Sequence, residues 1–447
     1  MTQTYKYLHF VTLQSLVNWS VAYLIKNNTL SSVFPLVSIG TFLMRNKTAI
    51  DVKNNVIYKR VTIKTNGGGV CLRDQKSGKD IGTKKQFVVK EGQFIVSKID
   101  ARNGAFGVVP PEANNAIITG NFWTFDVNTN IIIPQYLALL TATQEFMFFA
   151  EKASNGTTNR HYLQEPLFLS QQIPLPSLEE QNKIIAAYNA TIAQADNLSQ
   201  QAVKINDKIE TYLKEKLGIE QNNTSSRKNT IGKFMWLVHL KDITRWDVYN
   251  SQDNTYNGTY DYLLLRDLLI SSPKYGAGYK AEKKQRDVRY IRITDINEDG
   301  SLNDDFASVA KYDNQYLLKQ NDFLIARTGN TVGKTFLYDE SLGKAIYAGY
   351  LIKFELDTSK VNPQYLLAYT KSSVYKTWIK NNMRISAQPN INSKQYEESP
   401  IILPPLAVQN EIVDHISALR AEQKTLQQQA SNLRTHATQQ FEQTIFN

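Results

Sequence analysis

The stretch Ile173-Pro174-Leu175-Pro176-Ser177-Leu178-Glu179-Glu180-Gln181-Asn182-Lys183-Ile184-Ile185 decides how the chain is read. Two prolines close an extended segment, and a long run of helix-forming residues follows them, the order expected at the start of a helix. The stretch has an echo, Ile402-Leu403-Pro404-Pro405-Leu406-Ala407-Val408-Gln409-Asn410-Glu411-Ile412-Val413. Taking 409 minus 181 puts the copies 228 residues apart in a chain of 447. A period of half the chain predicts two similar halves.

Other landmarks obey the same period. Phe94 matches Phe323, Gly104 matches Gly333 and Pro134 matches Pro363, each 229 residues later. Leu13 to Val21 and Leu240 to Val248 share their Leu, Trp and Val positions, with Trp19 and Trp246 lying 227 apart; a tryptophan plugging a core is the reading preferred for both. From about 34 to 172, β-branched and aromatic clusters alternate with glycine-containing turns, as in Lys59 to Lys64, Phe87 to Val89 and Phe94 to Val96, which predicts strands. A helix is predicted at about 134–153. The second half replays this from about 262 to 400, with strands expected over Arg289 to Ile296 and Asp322 to Arg327 and a helix starting at Pro363.

After each mixed region the apolar period changes to that of a coiled helix. The first seam runs through 185, 188, 192, 195, 198, 202, 205, 209 and 212, the second through 412, 416, 419, 423, 426, 430, 433 and 437. Each helix has room for about 40 residues, roughly 60 Å at 1.5 Å per residue. A helix with one apolar seam needs a partner. The expected partner is the other repeat, in an antiparallel pair, the alternative being two helices packed separately on their own domains. The polar run from Glu220 to Asn229 reads as a linker. The resulting domain boundaries are 1–172, 173–220 (first long helix), 221–232 (linker), 233–401 and 402–447 (second long helix).

Composition is that of an ordinary globular protein, 42% hydrophobic and 21% charged. The single cysteine, Cys71, suits a reducing compartment. With no export signal and no apolar run long enough for a membrane span, the expectation is a cytoplasmic protein away from membranes. Residues 1–176 carry 18 Lys and Arg against 10 Asp and Glu, so +8 of the total +10 sits there, an excess that attracts polyanions.

Enzyme motifs fail on spacing. Gly329-Asn330-Thr331-Val332-Gly333-Lys334-Thr335 resembles a phosphate loop with one residue too few between its glycines. Asn362-Pro363-Gln364-Tyr365 is one substitution from the Asn-Pro-Pro-Tyr loop of adenine methyltransferases, but its twin reads Ile133-Pro134-Gln135-Tyr136, and a helix start accounts for both. The five histidines and Cys71 lack metal-ligand spacing. What remains is a set of basic residues among aromatics and glycines: Lys84, Lys85, Lys98 and Arg102 in the first half, and Lys283, Lys284, Arg286, Arg289, Arg292, Arg327 and Lys334 in the second. Lys and Arg neutralise phosphates, and Arg also takes guanine O6 and N7 with two bonds. For any one of them a solvated face or a structural ion pair is the alternative.

Two mixed domains, two long helices and the lead-in Leu175-Pro176-Ser177-Leu178-Glu179-Glu180-Gln181 together resemble the DNA-specificity subunit of type I restriction-modification systems, over nearly the whole chain. The second lead-in departs from the family pattern at Val408, where Glu is expected. Ser97 to Gly107 and Ala387 to Asn392 also look like segments recurrent in its target-recognition domains. The resemblance implies an α+β fold with two tandem mixed α/β target-recognition domains, separated by a long antiparallel two-helix coiled coil in a pseudo-twofold internal repeat. It implies that each domain reads half of a bipartite double-stranded DNA target. Two methyltransferase subunits and the restriction/translocase subunits would dock on the helices, with Pro176, Leu178, Glu180, Gln181, Pro404, Leu406 and Gln409 at the docking sites. S-adenosylmethionine, ATP and Mg²⁺ would belong to those partners, leaving this chain non-catalytic. The competing reading is a coiled-coil scaffold without sequence-specific DNA binding.

Overall fold

A computed structural model describes residues 32–155, 162–219, 258–383 and 388–446. Trp19, Trp246, the polar linker and Ala387 lie outside the described residues. The chain divides into two compact units, Met1–Leu198 with Gln428–Asn447, and Ser199–Gln427.

In the first unit the strands are β1 (Leu36–Ser38), β2 (Leu43–Asn46), β3 (Ala49–Asp51), β4 (Ile57–Ile63), β5 (Val70–Ser77), β6 (Lys85–Val89), β7 (Phe94–Ser97), β8 (Phe106–Val108), β9 (Ala116–Ile118) and β10 (Phe122–Val127). Helices α1 (Pro134–Thr141) and α2 (Gln144–Lys152), the pair β11 (Ser154–Asn155) and β12 (Tyr162–Leu163), α3 (Glu165–Ser170) and β13 (Gln172–Pro174) follow, and then α4 (Leu178–Leu217) begins. One sheet has the order β2-β10-β7-β8, a second the order β3-β6-β9-β4-β5, and β1 pairs with β13. Phe94, Phe125, Phe146 and Phe168 are fully buried between the first sheet and the helices; at roughly 1.5–3 kcal/mol per large apolar side chain, they dominate the stability of this layer.

The expected helix over 134–153 is broken at Ala142-Thr143. The Thr143 hydroxyl accepts from the Phe146 amide at 3.3 Å and starts α2 as an N-cap, a local bond that competes with helix continuation. At the equivalent place in the second unit the Ser372 hydroxyl does the same for the Tyr375 amide.

The second unit holds β14 (Tyr262–Leu264), β15 (Lys274–Tyr275), β16 (Arg289–Ile291), β17 (Phe323–Ala326), β18 (Thr335–Leu337), β19 (Ala345–Tyr347) and β20 (Leu351–Phe354), then α5 (Pro363–Tyr369), α6 (Ser373–Asn382), α7 (Ser393–Glu397) and β21 (Pro400–Ile402) before α8 (Leu406–Phe446). The sheet order β15-β20-β17-β18 repeats β2-β10-β7-β8, and β14 with β21 repeats β1 with β13. The parallel contact of β4 with β9 recurs as the parallel pair β16 and β19. The rest of the five-stranded sheet has no counterpart among the described residues; apart from β16, chain from 276 to 313 without a regular strand or helix stands in its place. The strand expected from Arg289 to Ile296 stops at Ile291, because the Asp295 carboxylate accepts from the Arg292 amide at 2.9 Å and turns the chain.

Gly104 (φ 74°) and Gly333 (φ 85°) are both left-handed. A Cβ at Gly104 would sit 2.5 Å from the Met147 sulfur on α2, and one at Gly333 would sit 2.9 Å from Ile379 on α6. The paired glycines let equivalent turns press against equivalent helices.

The long helices α4 and α8 span 40 and 41 residues. Within the first unit, Tyr188 meets Phe441 edge-on at 6.3 Å and Arg434 pairs with Asp196 at 2.7 Å. Within the second, Gln423 donates to the Ala202 carbonyl at 2.7 Å and Lys216 pairs with Glu411. Both sets run antiparallel. The seam positions Ile185, Ala195, Ala202, Ile205, Ile209, Ile412, Ile416, Ala430 and Ala437 are buried, and the helix carries the seam on through Leu213 and Leu217, where sequence periodicity had pointed to Tyr212. Tyr212 instead stacks on His415 at 3.9 Å. The compact units cut the chain differently from a division in sequence order, since Ile184, Ile185, Phe441 and Ile445 join the core of the first unit and Leu213, Leu217, Ile412 and Ile416 that of the second.

Candidate nucleic-acid interface

The paired lead-ins build one device twice. Gln181 and Gln409 are fully buried. The Gln181 Oε1 accepts from the Ile133 amide at 2.8 Å, and its Nε2 donates to the carbonyls of Pro176 at 2.9 Å and Ile131 at 3.2 Å. The Gln409 Oε1 accepts from the Asn362 amide at 2.7 Å, and its Nε2 donates to the carbonyls of Pro404 at 2.8 Å and Lys360 at 3.1 Å. Each amide thereby satisfies backbone groups at the starts of two helices, α4 and α1 or α8 and α5, which would otherwise be buried without partners. Beside it, the hydroxyl of Tyr136 donates to Pro174 and that of Tyr365 to Ile402. Burial lifts both phenols well above the ordinary tyrosine range. Gln181, Gln409, Pro176 and Pro404 are all buried, so the expected docking role of these four is corrected: their surfaces are spent on internal packing and bonding. Glu180 and Leu178 are half-buried and Leu406 exposed, the three of this set that face outward.

The candidate DNA-binding cations fall into three groups. The first is already neutralised. Arg292 grips the fully buried Asp295 and also reaches Asp305 at 2.9 Å. Arg286 pairs with Glu282 at 2.8 Å, and Lys334 pairs with Glu298 at 2.9 Å while donating to the Ile296 carbonyl. A carboxylate taken out of water needs such a partner. The sequence offered these three cations as phosphate contacts; in the structure each is ion-paired, Arg286 while still exposed. The second group is held by backbone or side-chain oxygens: Lys84 donates to the Gly78 carbonyl at 2.6 Å and to Asn54, and Arg289 donates to the Asn303 carbonyl at 2.7 Å with its guanidinium 5.4 Å from the Phe306 ring. Arg102 is half-buried in the turn before Gly104.

The third group combines exposed lysines with two half-buried cations set against rings. Lys85, Lys283 and Lys284 are exposed, with no side-chain ion pair or hydrogen bond among the described residues. Lys98 and Arg327 follow the equivalent strands β7 and β17. The Lys98 amide donates to the Asn121 carbonyl and its carbonyl accepts from the Leu163 amide, both at 2.9 Å; Arg327 makes the same two bonds with Tyr350 and Ile391 at 3.0 Å. Each cation lies against an aromatic ring of the neighbouring strand or edge, Lys98 at 5.7 Å from Trp123 and Arg327 at 4.9 Å from Tyr275. Burial, and then the positive charge of Arg45, lower the Lys98 pKa. Arg45, which sequence reasoning missed, lies over Trp123 and Phe125 and pairs with Glu165 at 3.4 Å. A lone arginine in a short strand gives no signal in sequence.

The two near-miss loops resolve into ordinary structure. Gly329–Thr331 is one turn of 3-10 helix, and the Asn362 side chain caps α5 by accepting from the Gln364 amide at 2.9 Å. Among the described residues no group of three or more His, Cys, Asp or Glu could hold a metal ion, and no helix is long and apolar enough to cross a membrane.

Duplicated α+β units, each sharing in a pair of long helices, define the class to which the chain belongs: a tandem mixed-sheet protein with repeated domains. The family follows from comparison with known proteins. The model of the type I restriction modification DNA specificity domain matches residues 25–210 and 268–433, and the chain belongs to that family. It is 21% identical over 313 residues to the type I restriction enzyme StySPI specificity subunit of Salmonella potsdam, covering 68% of this chain and 62% of that one. It is 22% identical over 307 residues to the EcoBI specificity subunit of Escherichia coli, covering 67% and 60%. The chain thus spans about three fifths of the length of these relatives. A solved chain from a study of complex assembly and conformational transition in the type I R-M system superposes with a TM-score of 0.56 at 14% identity, over 93% of this chain and 97% of that one, a likeness of fold.

Proposed function

We propose that this chain is the DNA-sequence-recognition subunit of a type I restriction-modification complex, non-catalytic itself, in which each mixed unit reads one half of a bipartite target. The observation that carries the reading is the contrast between constant and divergent parts of the repeat. The four-stranded sheet order, glutamine braces and glycine turns recur in both units, whereas the five-stranded sheet of one unit has only the parallel pair β16 and β19 as its counterpart in the other. A constant frame carrying different surfaces suits a protein that presents two half-sites to common partners. Two methyltransferase subunits would dock through the outward residues near the helix starts, with restriction/translocase subunits joining them. S-adenosylmethionine, ATP and Mg²⁺ are assigned to those partners, and the cytoplasm is where DNA and partners are found.

Co-expression with the host's candidate methyltransferase, followed by genome-wide mapping of methylated adenines, tests the proposal. The expected result is one bipartite motif that depends on this chain. Methylation without a motif would leave the scaffold reading standing, and methyl transfer by the purified chain alone would overturn the non-catalytic assignment.

A further inference from the structure

We propose that Arg327 is the residue with which the second unit reads a guanine in its half of the target, a step that rests on the recognition function proposed above. Lys334, whose carbonyl takes the amide of the adjacent Ala326, is tied to Glu298, and elsewhere in the unit Arg286 is tied to Glu282 and Arg292 to Asp295 and Asp305. Arg327 has no carboxylate and no side-chain hydrogen bond among the described residues. Its Nε is buried without a partner. The guanidinium lies 4.9 Å from the centre of the Tyr275 ring. That ring is itself anchored, since its hydroxyl accepts from the Ser393 amide at 3.2 Å and lies 3.1 Å from the Ser393 hydroxyl at the start of α7. Exposed Tyr350 stands next to it in the fold, its carbonyl taking the Arg327 amide. The two terminal nitrogens are left as an oriented fork, the geometry that matches the side-by-side acceptors O6 and N7 of guanine.

Two features favour a base edge over a phosphate. Lys334, whose carbonyl takes the Ala326 amide beside Arg327, is paired with Glu298, so its charge adds little to the local field and affinity must come from geometry. Secondly, the equivalent position in the first unit keeps both backbone bonds and again sets a cation against a ring, there Trp123 of the adjacent strand β10 in place of Tyr275 of the edge strand β15, but changes the side chain to Lys98. A position whose frame is held constant while its chemistry changes is where two half-sites can be made to differ. A lysine is a point charge without a fork, so the first unit does not read this place in the same way.

The full chain should be used to enrich duplexes from a randomised double-stranded DNA library, comparing wild type with Arg327→Lys, Arg327→Ala and, as a neutralised control, Arg286→Ala. For wild type the expected result is a bipartite motif with a guanine in one half. In both Arg327 variants preference at that guanine should fall roughly 5- to 150-fold while the other half of the motif stays intact, and Arg286→Ala should keep the motif. Tyr275→Ala, which frees the fork without removing it, should lose part of that preference. If Arg327→Lys keeps every base preference and merely binds more weakly at higher salt, Arg327 is a phosphate contact and the inference fails although the recognition reading stands. If wild type enriches no motif, the recognition reading fails first. A variant that melts like wild type yet loses both halves of the motif would also overturn the assignment.

Discussion

At the residue scale, the buried glutamines are the least replaceable polar groups in the chain. Replacing Gln181 or Gln409 by Leu keeps the volume but orphans one amide and two carbonyls, at about 1–3 kcal/mol for each buried group left unsatisfied. Gln181→Leu should therefore speed hydrogen exchange in α1 and its surroundings, and Gln409→Leu in α5, each leaving the other unit unchanged; equal loosening of both units would contradict local bracing. A second residue-scale case is the network around Lys353, which is 4% exposed and bonds Asp322 at 3.2 Å and Glu355 at 2.8 Å. Its carboxylates shift in opposite directions. Asp322 is almost fully buried and loses hydration, which raises its pKa. Glu355 accepts from Lys353 and also from Ser271 and Lys274, which lowers its pKa to about 2 from 4.5. Because the folded pKa of Glu355 lies below the unfolded one, its stabilisation is complete above about pH 4.5 and is lost as pH falls toward 2. Glu355→Gln should flatten unfolding free energy against pH in that window, by at most about 3 kcal/mol; a slope equal to that of wild type would show that Glu355 is not its source. In the first unit Gln93, Asp126 and Asn46 occupy corresponding strand positions, with bonds of 2.6 and 2.9 Å. The same bracing is done there without a buried lysine.

At the element scale, the long helices tie their own ends to the domain helices. The Glu210 carboxylate of α4 accepts from the Ser373 amide at 3.1 Å at the start of α6, and the Glu442 carboxylate of α8 accepts from the Gln144 amide at 3.2 Å at the start of α2. A carboxylate at a helix N-terminus meets unpaired amides and the positive end of the dipole, which makes these favourable joints. Helix length is then a candidate measure of the unread spacer, since about 40 residues span roughly 60 Å while one turn of DNA spans about 34 Å. Inserting four residues near 198 is expected to change the spacer in the methylated motif or to abolish modification, with both units still folded. Recovery of the wild-type spacer would dismiss the helix pair as a ruler.

At the scale of the whole molecule, the duplication was legible from spacing alone, because Phe94 and Phe323, Gly104 and Gly333, and Gln181 and Gln409 hold their order and offset. The long helices were legible because a seam of period near 3.5 outlasts local noise, apart from the final turn, where Leu213 took the place assigned to Tyr212. The candidate site was far less legible. Eleven basic residues looked alike in sequence. The partners that separate them lie close to some, as with Arg292 and Asp295, but far along the chain from others, as with Lys334 and Glu298 or Arg327 and Tyr275. The lead-in glutamines looked like a motif for partners and proved to be internal braces.

The sequence by itself determined the repeat and the two long helices, because these depend on residue type and periodic spacing. Only the tertiary structure decided which cations are free, which amides are buried and which unit carries the five-stranded sheet. The reason is physical: ion pairing and hydrogen-bond satisfaction depend on distances of about 3 Å between groups tens of residues apart, and no one-dimensional pattern carries that distance.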